Sequence, residues 1–202
     1  MASRLVALDP RAPDAGALAD AARVLAGRGL VAFPTETFYG LGAAALDAAA
    51  VQRVFTLKGR PAASPLLVLV DSVAMAERIA EVPERAHALI SRHWPGALTL
   101  VFRARAVVPD VIGAGRGTVG IRWSSHPVAT GLVTAFGAPV TAPSANPTGL
   151  EPPTSADAVR SYFGDAVELV LDGGVTTGGL ASTVLDVTVD PPRLVRAGAV
   201  RM

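Results

Sequence analysis

The chain has 202 residues, of which half are hydrophobic and 17% charged, and its formal net charge is +1. Such a composition excludes a disordered or coiled-coil chain and fits a single domain over residues 1–202 with a substantial core. Near-neutrality provides no global field for nucleic acid or membrane, and the lack of cysteine rules out disulfides, thiolate metal sites and cysteine nucleophiles together.

His87, His93 and His126 are the only histidines, and no two stand at ligand spacing, so no histidine-based metal site is expected. The opening "MASRLVALDPRAPDAG" lacks the long apolar run of a secretory signal, and no uninterrupted apolar stretch reaches the roughly 18 residues of a membrane span. A cytoplasmic protein is the expectation.

Asp14 is placed to cap a first helix reaching about Arg28, with Leu18, Ala22 and Leu25 inward and Gly29 as its stop. "LVAF", ending at Phe33, reads as a buried strand whose ladder is ended by Pro34. "TETFYGLG" then sets three oxygen-bearing side chains at 35–37 before an aromatic pair and two glycines, like a strand end presenting hydroxyls and a carboxylate to something. Asp47 caps a second helix carrying Val51, Val54 and Phe55 inward, and Pro65 opens the strand "LLVLV". A helix from Asp71 or Ser72 to near Glu81 follows, then one with Pro83 in its first turn. "LTLVF" and "TVGIRW" read as strands, "HPVATGLVTAFG" as a helix closed by Gly137, and "PVTAP" as a short strand. Ser155–Phe163 reads as a helix, and "ELVLDGG", "STVLDV" and "RLVRAG" as closing strands. Helices and strands alternate early while strands cluster late, which predicts an α/β domain on a twisted mixed (parallel and antiparallel) sheet flanked by helices.

Several nucleotide signatures are absent. There is no GxxxxGK[ST], and "GAGRGTVG" has Thr118 at the third glycine position and leads into a strand, so it fails as a dinucleotide fingerprint and reads as a hairpin or surface loop. Lys58 is more informative, being the only lysine in a chain that otherwise uses arginine. A compact ammonium beside Arg60, on a glycine and a proline, suits a polyphosphate; equally, it suits a solvated charge at a helix C-terminus. "TAPSANPTG" offers Ser144 and Asn146 around the small Ala145, either as donors to an oxyanion or sugar or as an ordinary Ser/Asx turn. Arg122, Ser182 with Thr183, and Arg196 add polar or cationic groups at the ends of apolar runs. Together these positions describe a site for an anionic ligand, acting by positioning and charge stabilisation without an evident nucleophile–base pair.

The ordered set "PTETFYGLG", "KGRPAASPL", "WPGALTLV", "TVGIR", "APSANPTG", "STVLD" and "LVRAG" resembles the YrdC-like family, the threonylcarbamoyl-AMP synthases, over roughly Leu30 to Gly198. The length resembles that family's short, single-domain form. The resemblance implies a YrdC-like fold with a large concave cavity. It also implies a nucleotidyltransferase that makes threonylcarbamoyl-AMP and pyrophosphate from L-threonine, bicarbonate (or CO2) and ATP with Mg2+. A partner transferase would carry the group on to tRNA, for N6-threonylcarbamoyladenosine.

Residue by residue, the resemblance assigns Thr35, Arg122, Ala142 and Ser182 to threonine. Lys58, Arg60, Ser64, Thr118, Ser144, Asn146 and Arg196 fall to the nucleotide, with Lys58 and Arg60 offsetting charge on the leaving group as the catalytic pair. Two other readings compete. A non-catalytic RNA-binding module predicts steeply salt-dependent RNA affinity without turnover. A carbamoyl-adenylating enzyme using carbamoyl phosphate predicts that threonine is dispensable. In the synthase reading any RNA contact is weak and local.

Overall fold

The computed structural model describes residues 2–202. Its strands form two sheets rather than one. The smaller holds β1 (Arg4–Ala7), β2 (Val31–Pro34), β3 (Tyr39–Gly42) and β9 (Leu169–Asp172) in the order β1-β9-β2-β3. The larger contains β4 (Leu67–Leu69), β6 (Leu98–Ala104), β7 (Thr118–Arg122), β8 (Val140–Thr141), β10 (Thr183–Asp186) and β11 (Arg193–Arg196), in the order β11-β10-β6-β7-β4-β8. A two-residue strand, β5 (Ala80–Glu81), pairs with β6 off this path. Parallel pairs (β1–β9, β2–β9, β6–β10, β4–β7) alternate with antiparallel ones, so both sheets are mixed. Bridges from Gly40 to Ser144 and from Ala44 to Val140 join the sheets where β3 passes the end of β8.

The helices are α1 (Ala15–Ala26), α2 (Ala48–Lys58), α3 (Val73–Ile79), α4 (Glu84–His93), α5 (Pro127–Phe136) and α6 (Ala156–Phe163). Asp14 and Asp47 cap as expected, and Ser72 and Ser155, read as helix starts, prove to be N-caps. Asp14, Asp47, Ser72 and Ser155 each accept a hydrogen bond from a first-turn amide, a contribution of about 1 kcal/mol apiece. α1 packs on α5, and both lie against β2.

Several boundaries differ from expectation. α1 stops at Gly27, two residues before Gly29, because Arg28 already takes the left-handed conformation (φ 63°). α3 ends at Ile79, where the chain turns extended to pair with β6, and Pro83 is the N-cap of α4 rather than a first-turn residue. Pro34 does not end the ladder but closes the β2–β3 register opposite Tyr39. "YGLG", read as part of a loop, is strand β3, so the "TET" segment is a hairpin turn. Its glycines are needed there: a Cβ on Gly42 would lie 2.8 Å from the Phe33 ring and 2.9 Å from Val140.

Candidate functional site

A cavity of about 560 Å3 opens between the β2–β3 turn and the concave face of the larger sheet. Strand alternation decides what faces it. Thr118, Gly120 and Arg122 of β7 line it, while Val119 and Ile121 go to the core behind. Ser182, Val184 and Asp186 do the same at β10, and Thr99 and Val101 at β6.

Among the described residues the wall carries five arginines (Arg60, Arg116, Arg122, Arg193, Arg196) against one carboxylate, Asp186. That carboxylate is already engaged by Arg193 at 3.0 Å and by the Thr188 hydroxyl and amide. The cavity is therefore strongly cationic although the chain as a whole is nearly neutral.

Arg122 marks the inner end. It is only 3% exposed. Its Nη1 lies 3.6 Å from Glu36 Oε1 and donates to Thr37 Oγ1 over 3.4 Å, both long contacts. Its Nε is buried with no acceptor, and Glu36 Oε1 is buried with no donor at hydrogen-bond distance. Glu36 is held through its other oxygen by the Ser124 hydroxyl, and Ser124 in turn accepts from the His126 amide. Burial lowers the Arg122 pKa below the usual guanidinium value, a fall that the Glu36 charge only partly opposes. Burial also keeps the His126 imidazole below its ordinary pKa. A planar anion offering oxygens to Nε would complete this arginine.

The turn beside it is held from within. The Thr35 hydroxyl donates to Phe38 O at 2.7 Å and accepts from the Thr37 and Phe38 amides. From outside, Thr177 Oγ1 donates to Glu36 O and Gly178 N to Thr37 O, tying the turn to the β9–β10 connection. Tyr39 donates to Gly174 O at 2.7 Å, and burial with the Asp172 charge pushes its phenol pKa up.

On the β10 side of the wall, buried Ser182 is a hub. Its hydroxyl shares a 2.8 Å bond with Thr99 Oγ1, and its carbonyl accepts Arg196 Nε and Nη2 at 3.1 and 2.7 Å. Across from it, Arg60 donates from Nε to Ser64 O and from Nη2 to Pro65 O. Desolvation first, then the neighbouring Arg196 charge, lowers the Arg60 pKa. Desolvation and Arg122 do the same for Arg196, whose guanidinium is drawn over Ser182. The three cations thus repel one another across the open cavity, which a polyanion would relieve.

Of the eleven residues singled out in the sequence, Thr35, Arg60, Thr118, Arg122, Ala142, Ser144, Ser182 and Arg196 line this one cavity. Lys58, Ser64 and Asn146 stand behind its wall. Lys58 is buried, and its Nζ donates to the carbonyls of Ser144 and Asn146, pinning the "SAN" loop. Burial, with help from Arg60, brings its pKa down to about 8. Ser64 contributes its carbonyl to Arg60, and the Asn146 amide donates to Pro147 O and Leu150 O.

Glu36, Thr37, Thr99, Arg116, Asp186 and Arg193 also line or support the cavity, and the sequence does not single them out as site residues; Glu36 and Thr37 stand out there only as polar side chains of "TET".

The family model described as "Telomere recombination" (Sua5/YciO/YrdC) matches residues 23–198. Threonylcarbamoyl-AMP synthase of Pyrococcus abyssi is 49% identical over 170 residues, which is 84% of this chain and 50% of that protein. The synthase of Bacillus subtilis is 42% identical over 186 residues, or 91% of this chain and 54% of that protein. The chain thus spans about half the length of these two relatives. The crystal structure of P. abyssi Sua5 complexed with L-threonine superposes with a TM-score of 0.94 at 44% identity, over 97% of this chain and 58% of that one. With the match running through most of the chain and the fold agreeing with it, this protein belongs to the Sua5/YciO/YrdC family.

Proposed function

We propose that this protein is a nucleotidyltransferase that joins L-threonine, bicarbonate (as CO2) and ATP into threonylcarbamoyl-AMP, with release of pyrophosphate. The observation that carries the reading is Arg122: a buried arginine with an unpaired Nε at the inner end of an arginine-lined cavity. A carboxylate on an otherwise small molecule fits that end, and the P. abyssi relative was crystallised with L-threonine.

In this reading the threonine carboxylate pairs with Arg122, whose position Glu36 and Thr37 hold. Ala142 and Ser182 complete the pocket, and Thr35 acts by shaping the turn. The nucleotide lies toward the mouth, along Arg60, Arg196, Thr118 and Ser144. Lys58 spends two of its three donors on carbonyls and acts on the phosphates from behind the "SAN" loop, through its charge and the loop position it fixes. Ser64 and Asn146 serve by shaping the walls that hold Arg60 and Ser144.

The chemistry is then one of alignment. Threonine's amine adds to CO2, forming an N–C bond and losing a proton. A carbamate oxygen attacks the α-phosphorus as the bond to the β-phosphate breaks, and pyrophosphate departs with its charge offset by Arg60 and Lys58.

Among the described residues no group of three or more carboxylate or histidine side chains could hold a metal ion, and the one wall carboxylate is engaged by Arg193. This donor set does not fit a resident Mg2+; the ion enters with ATP, as part of the substrate. Among the described residues no helix is long and apolar enough to cross a membrane. The proposed place of action is the cytoplasm. A transferase acting on tRNA would receive the product.

The test is pyrophosphate release from ATP, Mg2+ and bicarbonate, with and without threonine. Release only with threonine, with a product mass of threonylcarbamoyl-AMP, is expected. Release dependent on carbamoyl phosphate instead, or RNA binding without any turnover, would replace the reading.

A further inference from the structure

The "GAGRG" loop, which no motif of the family resemblance includes, does more than connect strands. It begins at Gly113, where a Cβ would lie 2.1 Å from Thr118 O, so the chain closes on itself there. Ala114, Gly115 and Gly117 all take left-handed backbone, with φ of 54°, 72° and 64°. For Ala114 that conformation costs about 1–2 kcal/mol, and such outliers gather where a side chain must be aimed. The side chain so aimed is Arg116, which lines the cavity and donates from Nη2 to Ala63 O at 3.0 Å.

Arg60 approaches the same short segment from the other side and donates to Ser64 O and Pro65 O. Three consecutive carbonyls, 63 to 65, are thus held by two arginines of the cavity wall. Neither arginine is paired with a carboxylate among the described residues. Each has five N–H donors, of which Arg116 uses one and Arg60 two.

We infer that Arg116 and Arg60 form a clasp for the terminal phosphates of the nucleotide and for the pyrophosphate that leaves, with residues 63–65 as the backbone that sets their separation. This rests on the ATP-dependent reading above and names a phosphate-binding residue outside its matched motifs. A tail of two or more phosphates carries enough charge to engage both guanidiniums; in the reading above the α-phosphate belongs with Ser144 and Thr118, so a nucleotide with that phosphate alone leaves the clasp unfilled.

The test is calorimetric binding of inorganic tripolyphosphate, ATP and AMP to the wild type and to Arg116→Ala. Arg92→Ala, an exposed arginine on α4, is the control for net charge. The expected result is a loss of about tenfold in affinity for tripolyphosphate and ATP, the scale of one charge-assisted hydrogen bond, with AMP affinity unchanged. Arg116→Lys, which keeps the charge but not the fork, should recover part of it.

Equal affinities in Arg116→Ala and wild type, a matching loss in Arg92→Ala, or an equal loss for AMP would overturn the clasp. If Arg116→Ala does not fold, Arg116→Lys carries the comparison, and wild-type tripolyphosphate affinity in it counts against the clasp. A wild type that binds tripolyphosphate through Arg116 yet releases no pyrophosphate with threonine would refute the synthase reading and leave the clasp standing.

Discussion

Lys58 and Arg122 are equally buried, each only 3% exposed, yet the protein treats them in opposite ways. The ammonium of Lys58 sits on two backbone carbonyls, so its cost of burial is met in part by the fold. The guanidinium of Arg122 has one distant carboxylate, one long hydroxyl contact and an Nε with nothing to donate to. Burial of a charge therefore does not by itself mark a binding site. An unmet donor on a charged group that lines a cavity is the sharper sign, and it is on that difference that the proposed role of Arg122 rests.

The strongest way to break this contrast is Arg122→Ala. It should raise the threonine KM about 100-fold, the scale expected when a buried, hydrogen-bonded charge loses its partner, while ATP affinity stays close to wild type. An unchanged threonine KM would remove Arg122 from the threonine pocket. Glu36→Gln, which keeps shape and loses charge, should raise the same KM by a smaller factor of about ten, with little change in kcat.

Lys58→Met tests the other cation. Leaving the Ser144 and Asn146 carbonyls without their donor should cost about 1–3 kcal/mol, and hence lower Tm by several degrees. A Tm equal to wild type would show that those carbonyls find water as readily.

Titration sharpens the same point. Lys58 has its pKa lowered to about 8 from 10.5, so between those values the unfolded chain binds more protons than the folded one. Its contribution to stability therefore rises with pH across that window. The stability gap between wild type and Lys58→Met should widen from pH 8 toward pH 10 as measured by urea unfolding. ATP affinity should fall over the same range as the ammonium is lost.

Ser64→Ala should do least. The carbonyl, not the hydroxyl, holds Arg60, so ATP KM should stay within about twofold and stability within about 0.5 kcal/mol. A larger loss of ATP affinity would bring the Ser64 side chain back into the nucleotide site.

Much of this was legible from sequence where local chemistry decides. The caps at Asp14 and Asp47, the helix start near Ser155, the stop at Gly137 and the apolar strand runs act within a few residues of themselves. What escaped was decided at long range. β3 is half glycine and reads as loop; it becomes a strand because β2 offers a register and Phe33 and Val140 fill the space a side chain would need. Sequence order predicted a single sheet, yet β1 joins β9 from the far end of the chain and leaves the larger sheet separate. At the site, "KGR" is conspicuous in the sequence, but only the fold reveals that Lys58 turns to the carbonyls of the "SAN" loop while Arg60 turns to the cavity. Arg116 carried one signal, a lone charge set among three glycines, and composition alone reads that as a flexible loop.

The order in which the larger sheet is laid down has a consequence for the protein as it is made. β10 lies parallel to β6 and separates it from β11, and both late strands supply the Ser182 and Arg196 side of the cavity. While the ribosome is still producing the middle of the chain, β6 has only β5 and β7 beside it and the nucleotide side has no far wall. Pairings of such long sequence separation form late and slowly. An emerging chain would present Arg60 and Arg122 before that wall exists, so on the proposed function ATP would stabilise the chain only once its last strands have docked.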